Sequence, residues 1–260
     1  MIAPGGEPRH DLRVVGVHVH IGSGSDLEHL AQVCGALETA AGQVGPSVRA
    51  ISVGGGLPIP YREGEGYVDL DAYWRLCDAA RRRLAERFGH DVRLEIEPGR
   101  YLVAESGWLI AEIRAVKRQG DNTFYLLDAG FNNLARPILY GAHHPMSIAP
   151  RTTAHAPRTP EMIDVVVGGP LCESGDIFTQ REGGFVATRR LPRAEVGDLL
   201  LVERAGAYGF VMGSNYNSKP LAAEVLIDAG QPHLVRRRQS AEDLVRGETI
   251  PRHLADAPRD

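Results

Sequence analysis

The stretch Gly169-Pro170-Leu171-Cys172-Glu173-Ser174-Gly175-Asp176 puts a thiol, two carboxylates and a hydroxyl within five residues. It follows an apolar strand at residues 165–167 and is bounded by Gly and Pro, as loops are. Reactive groups on a loop held by a strand commonly mark a functional site. From these residues alone, an ordinary surface turn with a free Cys fits equally well.

Other stretches tip that balance. Gly54-Gly55-Gly56 follows a short apolar strand, where a backbone without side chains can approach a ligand and its N–H groups can cradle an anion. Glu97-Pro98-Gly99-Arg100 sets a carboxylate at a strand end, then a rigid turn, then a guanidinium suited to phosphate or carboxylate. His20 stands at the matching height of its own strand. An imidazole, a glycine cradle, a carboxylate and an Arg together suit a phosphorylated heteroaromatic cofactor whose ring nitrogen pairs with Glu97. Pyridoxal phosphate needs such a partner, because a protonated pyridine drains electrons from the reacting carbon.

The elements that must position these groups read as repeated strand–helix units. Residues 12–21 alternate, with Val15, Val17, Val19 and Ile21 on one face and Gly16, His18 and His20 on the other. His18, one layer deeper than His20, reads as a core histidine. Ser25-Asp26-Leu27-Glu28 reads as a capping box with Ser25 as N-cap, opening a helix that buries Leu27, Leu30, Ala31, Cys34 and Leu37. A second strand at 50–53 leads to a helix at 69–88, with Tyr73, Cys77, Ala80, Leu84 and Phe88 inward and Gly89 as its stop. A third strand at 92–96 alternates Val92, Leu94 and Ile96 against Arg93, Glu95 and Glu97. The order predicts parallel βα units with the functional groups at the C-terminal strand ends.

Past Trp108 the texture changes to short strands, at 109–116, 124–127, 164–167, 199–202, 223–227 and 233–237, separated by turns. The fold class is therefore α/β plus all-β, with an α/β part at 1–104 and a β-domain at 105–260. Residues 151–160 read as a mobile loop, and 257–260 as a loosely held end.

Composition narrows the function classes. The 260 residues are 43% hydrophobic and 24% charged with a net charge of -4, which argues against non-specific nucleic-acid binding. No apolar run is long enough to span a membrane, and no basic segment leads into an apolar one at the start, so a cytoplasmic location is expected. Three scattered cysteines give neither a disulfide framework nor a metal pattern. Only two lysines occur, Lys117 and Lys219; Lys117 reads as the solvated head of a turn.

Seven ordered stretches, HVHIGSGSD, SVGGGLPIPY, EIEPGR, DAGFNNLARPILYGAHHP, GPLCESGD, GAYGF and SNYNSKPL, together resemble the fold-type III pyridoxal-phosphate decarboxylases, most closely the branch acting on meso-diaminopimelate. The resemblance runs from about residue 12 to residue 250. It implies the C-terminal part of a pyridoxal-phosphate-binding (β/α)8 barrel followed by a β-sandwich or β-barrel domain, as in the alanine racemase and ornithine decarboxylase-like proteins. It also implies conversion of meso-2,6-diaminopimelate to L-lysine and carbon dioxide.

Residue by residue, the resemblance implies that His20 stacks on the cofactor ring and that Ser23 lies near its phosphate. Gly56, Pro98, Gly99 and Arg100 would belong to the phosphate site, and Glu97 would pair with the pyridine nitrogen. Tyr208 would touch phosphate and substrate. Arg136, Tyr140 and Glu173, with Arg100, would hold the distal amino-acid end of the substrate, and Cys172 would protonate the substrate carbon. From the residues alone, Tyr140 could be core and Arg136 a surface residue at a helix start. The family's cysteine loop reaches into the partner subunit, so a homodimer is expected. The family's Schiff-base Lys has no counterpart here, and three strands are fewer than the eight a closed barrel needs. The chain is therefore expected to be inactive as it stands. Two alternatives are a catalytically inert partner of a full-length homologue, or a decarboxylase of ornithine, arginine or carboxynorspermidine. Arg136 beside Glu173 favours diaminopimelate over those basic substrates.

Overall fold

In the computed structural model, which describes residues 12–20, 22, 26–151 and 161–255, the chain divides into two compact units, Met1–Ala104 and Glu105–Asp260.

In the first unit, β1 (Gly16–His18), β2 (Ala50–Ser52) and β3 (Arg93–Glu95) form a parallel sheet in the order β1-β2-β3, linked by α1 (Leu27–Val44) and α2 (Leu70–Phe88). Both helices pack on one sheet face. Leu30, Cys34, Leu37, Cys77 and Ala80 close over Val53, Val17 and Val19, and Ala41 and Leu84 close over Ile51. The opposite face carries His18, Ser52 and Glu95, paired in register across the three strands. Among the described residues that face is not covered by α1 or α2, and the His18 side chain is 51% exposed. Ile96 is also exposed, because β3 ends at Glu95 before the alternation reaches it.

The helix ends follow local chemistry. Asp69 caps α2 by accepting from the Ala72 N–H, and Gly89 ends it in a left-handed conformation. The N-cap of α1 is Asp26, which accepts from the His29 N–H, in place of Ser25, which lies outside the described residues. Ile21 lies outside them too. A short helix, α3 (Gly99–Val103), follows β3.

The second unit is built on a six-stranded sheet in the order β10-β7-β5-β4-β11-β6. Its strands are β4 (Leu109–Gln119), β5 (Asn122–Leu127), β6 (Met146–Ala149), β7 (Met162–Gly168), β10 (Arg189–Pro192) and β11 (Leu199–Val202); β8 (Gln180–Arg181) with β9 (Phe185–Val186), and β12 (Glu224–Asp228) with β13 (Gln231–Arg236), form separate hairpins. Every pair in the large sheet is antiparallel except β5 with β7, and its edge strands β10 and β6 approach each other, giving a barrel-like wrap. Ile113, Tyr125, Leu127, Val165, Val167, Phe178 and Leu200 fill the interior. At its edge the buried Tyr125 hydroxyl donates to the Pro192 carbonyl and accepts from the Ala194 N–H, both at 2.9 Å.

Two strands of this sheet escape sequence reading for physical reasons. β6 lies between Pro145 and Pro150 with all four residues half-buried, so no alternation marks it. β10 opens on two Arg and closes on Pro192, a pattern tolerated only at an edge. Lys117 lies inside β4, not at the head of a turn, and its side chain is exposed on the ribbon formed with β5. Residues 152–160 and 257–260 lie outside the described residues. Among the described residues, no helix is long and apolar enough to cross a membrane.

Candidate active site

In the first unit the strand ends converge. Gly54 has φ +70° and a Cβ there would lie 2.3 Å from the Val19 carbonyl oxygen; a Cβ on Gly55 would lie 2.6 Å from the Glu97 carbonyl oxygen. Only glycine permits both the conformation and the approach. The Gly55 N–H donates to His20 Nδ1 at 3.1 Å, leaving Nε2 as the protonated nitrogen of a neutral ring. His20 is thereby fixed against the glycine turn.

Glu97 is held through one oxygen. Its Oε1 accepts from His18 Nε2 at 3.1 Å and from the Ser52 hydroxyl at 3.3 Å, while Ser52 Oγ accepts from the Gly54 N–H at 3.1 Å. Its Oε2 makes no bond to another described residue. His18 and Ser52 are neighbours of Glu97 that sequence reading missed, although the shared face of residues 16, 18 and 20 was the available signal. Beyond Glu97, the Gly99 N–H donates to the Glu97 carbonyl at 2.9 Å, and Pro98 occupies the N-cap of α3. The Arg100 guanidinium lies 5.9 Å from the centroid of the Tyr61 ring. Gly56 adopts φ +91°, and Ser23 lies outside the described residues.

In the second unit, β7 delivers the chain to the cysteine loop. Asp176, read from sequence as one of its reactive carboxylates, is instead its internal anchor at 3% exposure. Its Oδ2 accepts from the Leu171 N–H and its Oδ1 from the Phe131 N–H, both at 2.8 Å. Burial raises the Asp176 pKa, and the two N–H groups oppose that rise. Gly169 and Gly130 allow the fit, since a Cβ on either would run into the Asp176 carboxylate.

The reactive groups sit on this braced backbone. Cys172 is a free, exposed thiol whose backbone N–H donates to Asn217 Oδ1 at 3.0 Å. Glu173 accepts from the Gly175 N–H, the Ser174 hydroxyl and the Tyr216 hydroxyl, which hold its carboxyl below the usual carboxylate range. The Tyr216 ring packs on Phe131 with centroids 4.9 Å apart. Asn217 and Ser218 are consecutive left-handed residues, which brings the Asn217 side chain to the loop. Tyr216 and Asn217 were missed in the sequence as individual contributors. Asn tolerates the left-handed region, and an Asn-rich turn was the available signal.

Arg136 opens a short helix, α4 (Arg136–Tyr140), and is buried at 6% exposure, so it is not a surface residue. Its guanidinium donates to His144 Nε2 at 2.9 Å, and His144 Nδ1 donates to the Glu203 carbonyl at 2.9 Å. His144 is therefore a neutral Nδ1–H tautomer. Burial first, then the Arg136 charge, lowers its pKa to about 4. Tyr140, at the other end of α4, is 60% exposed and not core. Tyr208 is also exposed and takes a left-handed backbone, φ +58°, which is unusual for an aromatic residue.

Residues 33–206 match the family described as pyridoxal-dependent decarboxylase, C-terminal sheet domain. The chain belongs to the pyridoxal-dependent decarboxylases. It is 53% identical over 240 residues to the diaminopimelate decarboxylase of Escherichia coli K12, covering 91% of this chain and 56% of that protein. A crystal structure of a diaminopimelate decarboxylase superposes with a TM-score of 0.86 at 53% identity, covering 92% of this chain and 56% of the other. The Helicobacter pylori diaminopimelate decarboxylase complexed with L-lysine superposes with a TM-score of 0.72 at 33% identity, covering 89% of this chain and 54% of that one. This pyridoxal-dependent decarboxylase chain thus spans about half the length of the relatives it matches.

Proposed function

We propose that the chain supplies the cofactor-binding strand ends and the substrate-binding sheet domain of a diaminopimelate decarboxylase, which converts meso-2,6-diaminopimelate to L-lysine and carbon dioxide. In this reading Met1–Ala104 contributes the last three strands of a (β/α)8 barrel, and Glu105–Asp260 is the C-terminal sheet domain. The observation that carries it is Glu97. Two donors occupy Oε1, which leaves Oε2 presented to a ring N–H.

The residues present fit pyridoxal phosphate. The glycine turn at Gly54–Gly56, with Gly99 and Arg100, suits the phosphate; His20 suits a ring face; Glu97 suits the pyridinium. Ser23, by family resemblance, would join the phosphate contacts. When bound, the cofactor supplies an electron sink for the pair left by the departing carboxylate. The Glu97 carboxylate would accept the ring N–H and so keep the ring nitrogen protonated.

Loss of carbon dioxide leaves a carbon that needs one proton. Cys172 is the exposed acid of the cysteine loop and is assigned to deliver it. The distal end of diaminopimelate carries a carboxylate and an ammonium. Arg136 and Arg100 suit the carboxylate, and Glu173, held ionised by its three donors, suits the ammonium. Tyr140 and Tyr208, both exposed, are assigned to the same ligand by family resemblance. The working unit is a homodimer in which the cysteine loop of one subunit completes the strand-end site of its partner.

The test uses the 260-residue chain, titrated with pyridoxal phosphate by absorbance and then reduced with borohydride. Saturable binding as the free aldehyde is expected, weakened about tenfold by Glu97→Gln or Arg100→Gln. No adduct should form on Lys117 or Lys219. Binding that neither substitution alters would overturn the assignment of the strand ends.

A further inference from the structure

A polar cavity of about 60 Å³ lies within the sheet unit, beside the start of β4. Its polar lining is Asp128, Asn132, Asn133, Lys219 and Arg238, with Pro170 from the foot of the cysteine loop. None of these polar side chains has a part in the proposed decarboxylation.

Asn132 is the informative residue. It is 2% exposed, and its backbone carbonyl accepts from the Ser214 N–H at 2.9 Å. Asn132 lines the cavity, and its side-chain amide bonds to no other described residue. Buried amides are almost always hydrogen-bonded, to protein or to water, so the Asn132 amide can bond to whatever fills the cavity. Lys219 and Arg238 are exposed at the same cavity, and neither forms an ion pair with another described residue. Asp128 Oδ1 is taken by the Glu112 N–H at 2.9 Å.

We propose that this cavity binds a small monoanion of the carboxylate class. Two cations against one carboxylate leave the lining with one net positive charge. The Arg238 fork and the Lys219 ammonium match the two oxygens of a carboxylate, and the Asn132 amide supplies a further N–H donor. Asp128 disfavours a second negative charge, so a phosphate dianion fits less well. Since one water needs roughly 10–15 Å³ of such space, the cavity takes a ligand of about four heavy atoms, the size of acetate.

The test is a titration of the isotope-labelled 260-residue chain with sodium acetate at constant ionic strength, with chloride as the control. The Asn132 side-chain amide and Arg238 Nε–H resonances are followed. Saturable shifts are expected with acetate and formate, and weaker ones with inorganic phosphate. The double substitution Lys219→Gln, Arg238→Gln lies at the exposed mouth and should weaken binding about tenfold or more. Asp128→Asn keeps the acceptor for Glu112 and should tighten it. Shifts no larger than those from chloride, or shifts indifferent to the double substitution, would overturn the site.

Discussion

The strand-end cluster of the first unit and the cysteine loop of the second both present exposed reactive groups, but they are held in opposite ways. Around Glu97, position comes from strand register. His18, Ser52 and Glu97 project from a sheet whose other face is packed on two helices, and the side chains add bonds to a framework that already exists. Around Cys172, position comes from one buried side chain. Asp176 ties Leu171 to Phe131, and without it two backbone N–H groups and the loop they fix lose their partner. Removing the Glu97 side chain should therefore cost function, and removing the Asp176 side chain should cost structure.

The largest effect on stability is expected at Asp176. Asp176→Ala leaves two buried donors unpaired and should destabilise the chain by about 3 kcal/mol in denaturant titration. A loss below about 1 kcal/mol would mean that the loop is held by something else. In the first unit the framework itself is sensitive only where backbones meet. Gly55→Ala drives a Cβ into the Glu97 carbonyl and should cost about 2 kcal/mol by the same titration.

His144 gives a pH signature confined to the second unit. Its folded pKa, about 4, lies below its ordinary 6.5, so the unfolded chain binds the proton more readily between those values. The stability it contributes is complete above pH 6.5 and is lost as pH falls toward 4, at no more than about 1.4 kcal/mol per pH unit. His144→Gln should flatten the difference between denaturant midpoints at pH 7 and pH 5. An unchanged slope would mean that His144 is not the neutral acceptor of Arg136. The smallest stability effect is expected at Glu97, where Glu97→Gln should change it by no more than about 0.5 kcal/mol while weakening cofactor binding.

Much of this was legible in the sequence because the period of each element is local. The alternation at Val17, Val19, Ile51 and Val53, the stop at Gly89 and the glycine turn before Leu57 all depend on near neighbours. What was not legible depends on what packs against what. The bond from His18 to Glu97 was not legible because alternation tells which residues share a face but not which of them meet across strands. Asp176 looked reactive because its two partners are a residue five positions back and one forty-five positions back. Arg136 looked like a surface residue because its acceptor, His144, is itself placed by the carbonyl of Glu203 from beyond β11.

The central claim is that these strand ends and this loop serve one decarboxylation specific for diaminopimelate. The most direct measurement joins this chain to the segment of the Escherichia coli relative that has no counterpart here and follows carbon dioxide release. Release from meso-diaminopimelate but not from ornithine or arginine, lowered about a hundredfold by Cys172→Ala, is the expected result. A folded, cofactor-loaded protein that prefers ornithine or arginine, or that keeps its full rate without the Cys172 thiol, would contradict it.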